Sequence, residues 1–132
     1  MTLKSKHLFV VTAAIETATG VALVGVPAVA VRLLIGTGLD APGLVVTRIA
    51  GSALLCLGVV CWVTSNDTQG RTVRGLIAAL LLYNVAVLVL LAHANLGLHL
   101  TGIGLWPAVS LHAAFAAWCI ACSYPAPAAT TL

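Results

Sequence analysis

Four stretches of about 20 mostly apolar residues account for most of this chain, and that is the length an α-helix needs to cross the hydrocarbon core of a bilayer. They run over 7–26, 44–63, 75–94 and 103–122. They are too long for barrel strands and lack period-2 alternation. In lipid each must satisfy its own backbone hydrogen bonds, which leaves only the helix. The charge content agrees, because 7% of residues are charged where a soluble domain carries roughly a quarter. The expected fold is all-α: an integral membrane four-helix bundle, one transmembrane domain over 1–132.

Charge placement sets the expected orientation. Four of the six Lys and Arg residues are Lys4 and Lys6, before the first span, and Arg71 and Arg74, around the start of the third. An antiparallel arrangement puts all four at one end, and the other end keeps only Arg32 outside the spans. The positive-inside rule then places both termini in the cytoplasm. The basic residues form no stripe interleaved with aromatics, so nucleic acid is not an expected partner. Membrane lipids are. The tail, with Tyr124, Pro125 and Pro127, is unsuited to continuing a helix.

The connector 27–43 is too apolar for an ordinary loop. Residues 28–35 are expected to form a short helix in the outer interface, with Arg32 toward headgroups. Gly36, Gly38 and Pro42 then turn the chain back. A structured cap is favoured over a moving gate. The segment from Leu98 to Gly102 is expected to dip on the same side. Lys4, Lys6 and the run Ala28, Val29, Ala30 resemble parts of a signal peptide, but Glu16 interrupts the apolar region such a peptide needs. No period of 20–50 residues repeats, and no inverted repeat suggests a secondary transporter.

Each span carries one strongly polar residue: Glu16, Arg48, Asn84 and His112. A charged side chain at the bilayer centre costs about 2.5–3.5 kcal/mol on insertion scales. A shared polar pocket, an ion path or a structural network would explain the four. The faces of Glu16 and Arg48 are rich in small residues (Thr12, Ala13, Gly20; Gly51, Ser52), as helix packing in lipid favours. Glu16, Asn84 and His112 each lie about nine residues from a span end, near the midplane, whereas Arg48 lies roughly 6 Å below the outer surface.

Two outcomes follow. Arg48 reaching Glu16 would make an ion pair. A Glu16 without a cation would be held as a neutral acid, since a bare carboxylate is disfavoured at low dielectric. In that case Glu16 and His112 form a catalytic acid–base pair. Asn84, Arg48, Ser52 and Trp106 are the candidates for substrate binding, Asn84 by orienting a carbonyl or hydroxyl and Trp106 by walling the pocket. The competing roles are plainer: Asn84 as interhelical glue, Arg48 as a snorkelling cation, His112 as a packing residue, Trp106 as part of an aromatic belt with Trp62 and Trp118.

Other motifs carry less. Cys119 and Cys122 have a dithiol spacing, but no helix N-terminus or neighbouring cation activates them, and cysteine also serves as a small apolar residue. No two histidines match in depth for haem. His93, His99 and Asp40 have no fixed metal geometry. No cofactor and no metal is expected.

Pro27 followed by Leu33, Leu34, Ile35 and Gly36, then Arg48, Ile49, Ala50, Gly51, Ser52 and onward to Gly58, resembles a pattern in small bacterial four-helix membrane proteins of the DoxX-like kind. The shared element is an arginine opening the second helix, with glycines after it. The resemblance is confined to the connector and the second span, and Glu16 and His112 fall outside it. It implies the architecture and a bacterial plasma membrane setting; some members resemble accessory subunits of redox complexes. Three functions are expected to compete. One is a binder of a lipophilic small molecule performing acid–base chemistry on it (isomerisation, cyclisation or epoxide opening). Another is a non-catalytic accessory or assembly subunit. The third is a proton or small-ion pathway. The small size favours a homo-oligomer or a place in a larger membrane complex.

Overall fold

The structure is a computed structural model and describes residues 3–66 and 71–123. The tail at 124–127 and the loop centre at 67–70 lie outside the described residues. The described residues form five helices: α1 (Leu3–Gly25), α2 (Pro27–Ile35), α3 (Ala41–Thr64), α4 (Arg71–Leu96) and α5 (Leu105–Ser123). All but α2 are long and apolar enough to cross a membrane. Each expected span coincides with a long helix to within four residues at either end.

Local chemistry explains the boundaries. Pro27 has no N–H to donate back into the last turn of α1, so one helix ends and α2 starts with proline in its first turn. Gly36 ends α2 at φ 80° and donates its N–H to the Arg32 carbonyl, a left-handed cap that suits glycine. The expected second span begins at 44, but α3 starts earlier, at Ala41. The Asp40 carboxylate accepts the Gly43 N–H at 2.8 Å, and Pro42 sits in the first turn.

The long helices associate mainly as two pairs, α1 with α3 and α4 with α5. In the first pair, small residues let the backbones approach. A β carbon on Gly20 would lie 2.7 Å from the Gly51 carbonyl oxygen, and one on Gly51 would lie 2.9 Å from that of Gly20. Gly58 packs in the same way against Ala13 and Thr17. In a bilayer, where lipid supplies no hydrophobic drive between helices, close van der Waals contact of this kind would favour the association.

The two pairs share a core at the end where α1 and α4 begin. Leu8, Phe9, Cys61, Leu80 and Cys119 are all 0 to 1% exposed there, with Val73, Ile77 and Phe115 around them. Lys4, Lys6, Arg71 and Arg74 belong to this end, called here the basic end. At the opposite end, α2 touches α1, α3 and α5. It is tied to the α4–α5 connector by the Gly104 N–H, which donates to the Leu33 carbonyl at 2.8 Å. Much of the outward surface is apolar, with Val46 at 65%, Leu82 at 73% and Leu90 at 66% exposed.

Gly20→Ala is expected to destabilise by about 1–3 kcal/mol, the usual cost of overpacking. Gly75→Ala meets nothing within 4 Å and should be neutral or gain up to about 1 kcal/mol from helix propensity. Equilibrium unfolding of both variants in detergent checks the contrast.

Candidate functional site

Glu16 sits on the inward face of α1 and is 5% exposed. The hydroxyl of Tyr83, from α4, donates to its Oε2 at 3.2 Å. The next residue, Asn84, is rotated about 100° around the helix and so turns toward α5 rather than α1. Its Nδ2 donates to the Leu80 carbonyl at 2.8 Å. That bond fixes the amide orientation and leaves Oδ1 as the acceptor for the Nδ1–H of His112, also at 2.8 Å. In its neutral form His112 therefore carries its proton on Nδ1 and keeps a lone pair on Nε2. The Tyr83 and His112 rings meet edge to face, 5.7 Å between centroids.

A cavity of about 200 Å³ lies beside this network. Glu16, Tyr83 and His112 are its polar members, with Thr19; Ile15, Leu34, Ala108, Leu111 and Phe115 complete the wall. Thr19 and Leu111 are exposed, so they form a rim between α1 and α5 on the side of the molecule. Leu34 from α2 closes the end away from the basic end. Toward the basic end, the interior is filled by the fully buried Leu8, Phe9, Cys61 and Cys119.

Of the candidates read from the sequence, Glu16 and His112 line the cavity together, and Asn84 reaches it through His112. With both amide atoms engaged inside the protein, Asn84 positions the imidazole and is not among the residues facing the cavity. Tyr83 was not anticipated. Two signals pointed to it: a tyrosine in mid-span is outside the interfacial belt, and a buried tyrosine hydroxyl requires a partner.

Arg48, Ser52 and Trp106 are not brought to the cavity. Arg48 stands seven residues into α3, roughly 10 Å along the helix from its start rather than 6 Å, because the helix begins before Gly43. It forms no ion pair with Glu16. It extends the other way, and its Nε donates to the Val24 carbonyl at 3.3 Å. That carbonyl is in the last turn of α1, where the interruption at Pro27 leaves acceptors without helical donors. Arg48 is thus a cation capping the negative end of a neighbouring helix. Ser52 is exposed and donates to the Arg48 carbonyl of its own helix at 3.0 Å. Trp106 is 55% exposed in the first turn of α5, away from the cavity.

The remaining motifs assemble no metal centre: no group of three or more His, Cys, Asp or Glu side chains with metal-binding geometry occurs among the described residues. Asp40 is engaged as the α3 cap. The four cysteines are free thiols, Cys61 and Cys119 buried and Cys122 half-buried.

A double-mutant cycle over Asn84→Ala and His112→Ala should return a coupling of roughly 0.6–1.7 kcal/mol, the range for interhelical hydrogen bonds in membranes. Arg48→Met should cost about 0.3–1 kcal/mol through the lost cap, leaving ligand binding in the cavity unchanged; thermal unfolding and a binding assay separate the two effects. No protein-family model matches the sequence, and neither curated proteins nor solved structures provide a match.

Proposed function

We propose that this chain is an integral protein of the bacterial plasma membrane, a four-helix bundle with both termini cytoplasmic and α2 lying in the outer interface. The Glu16–Tyr83–His112 cavity takes up the polar end of a small lipophilic molecule and performs acid–base chemistry on it. The observation that carries this reading is the convergence of three proton-bearing side chains, from three helices, on one cavity at mid-depth. Lys4, Lys6, Arg71 and Arg74 at one end support the orientation.

The cavity, at about 200 Å³, is below the roughly 300–1,000 Å³ of sites that enclose a drug-sized ligand. It suits the reacting head of a lipophile whose apolar remainder extends past Thr19 and Leu111 into the hydrocarbon. In this reading Glu16 gives a proton to an oxygen of the ligand. His112, held as the Nδ1–H tautomer by Asn84, takes one at Nε2. Tyr83 orients the Glu16 carboxyl group. Isomerisation, cyclisation and epoxide opening are redox-neutral, and the site is reset when the proton taken up by His112 passes back to Glu16.

A second reading is supported by the same hydrogen bonds. Glu16–Tyr83 and Asn84–His112 each join two helices, as expected of structural glue in an accessory subunit. Glu16→Gln and His112→Asn retain an acceptor for Tyr83 and a donor for Asn84, and separate the two. For the site reading, both variants keep their unfolding temperature and bind the lipophile detected by native mass spectrometry, but lose its conversion in cells. Full activity of Glu16→Gln would sink it, and loss of fold or of complex assembly in both variants would favour the glue.

A further inference from the structure

We propose that the groove between α2 and residues 101–103 is a binding site for an anionic phospholipid, with the headgroup phosphate on Arg32 and an acyl chain along Val29, Leu33 and Ile103. The groove has a volume of about 500 Å³ and is lined by these residues with Gly36, Thr101 and Gly102. It lies at the end of the molecule away from the basic end, where α1 and α4 finish and α3 and α5 start. In a spanning arrangement that is headgroup depth. This site is separate from the Glu16 cavity and does not depend on any chemistry there.

Three observations point to an anion with an apolar tail. Arg32 is exposed, and its guanidinium makes no hydrogen bond or ion pair with the described residues. The nearby acid in sequence, Asp40, is occupied in capping α3. Five N–H donors on one cation are therefore unclaimed by protein. Second, the backbone N–H groups of Thr101, Gly102 and Ile103 have no partner among the described residues. Hydrocarbon offers such donors nothing, so water or a headgroup oxygen must serve them. Third, the apolar part of the groove faces outward, with Val29 at 56%, Leu33 at 50% and Ile103 at 82% exposed.

The groove is also held in shape. The Gly104 N–H is bound to the Leu33 carbonyl at 2.8 Å. Gly102 packs directly on the backbone of Leu34 and Ile35, and a β carbon on Gly36 would lie 2.8 Å from the Thr101 carbonyl oxygen. The two walls are thus joined by backbone contacts rather than by flexible side chains. A preformed groove loses less freedom when a ligand orders in it.

The test uses the full chain in nanodiscs of phosphatidylglycerol mixed with phosphatidylcholine, released for native mass spectrometry. Phosphatidylglycerol is expected to be retained over phosphatidylcholine by about fivefold, the factor one basic residue gives at an anionic surface. Arg32→Gln should abolish the preference, and Arg32→Lys should keep most of it. Unfolding in lipid-free detergent serves as the folding control, where wild type and Arg32→Gln should melt alike. Added phosphatidylglycerol should raise the melting temperature of wild type only. Equal retention of the two lipids by wild type would overturn the proposal, as would an undiminished preference in Arg32→Gln. A change of oligomeric state in Arg32→Gln without lipid would also overturn it, assigning the groove to a second copy of the chain.

Discussion

A hydrogen bond from Tyr83 to Glu16 links the two helix pairs beside the apolar core they share. α1 is bound to α3 through glycine-lined backbone contact, and α4 to α5 through a long antiparallel seam, but the direct meeting of α1 with α5 is limited. A carboxyl group facing that junction would be costly if left alone in a low-dielectric interior. Tyr83 satisfies one of its oxygens, and the adjacent Asn84 satisfies His112. One helix turn of α4 therefore organises polar groups on both of its neighbours, and the cavity forms where their side chains leave space.

The same economy holds at the ends of the helices. Pro27 interrupts α1, Arg48 takes up a carbonyl freed near that interruption, and Asp40 holds the first turn of α3. Arg48 and Asp40 are charged residues in a chain that has few, and both serve backbone groups that a bilayer would not solvate. Arg32 differs: it is the cation at that end which the described protein leaves unpartnered, and that difference motivates the lipid site.

The helices and the candidate site were not equally legible. The spans and the short α2 followed from apolar length and from the proline and glycine around it. Glu16, Asn84 and His112 were legible as a group because polar side chains at matching depth have few places to go. Arg48 was not, since its depth turned on whether α3 begins at Ala41 or after Gly43, and its direction on an open carbonyl across the helix pair. Ser52 followed Arg48 onto the outer face. Tyr83 carries little signal beside Asn84, because a tyrosine in an apolar run has the same pattern as a packing residue.

Sequence by itself determined the helices, their lengths and the residues that apolar surroundings would force into partnership. Those properties are local: they follow from hydropathy, backbone hydrogen bonding and the chemistry of proline and glycine. The tertiary structure decided which partner each polar group takes. That choice depends on helix rotation and register, where 100° separates Tyr83 from Asn84 and the pairing of α1 with α3 sets Arg48 against the Val24 carbonyl rather than the Glu16 carboxylate.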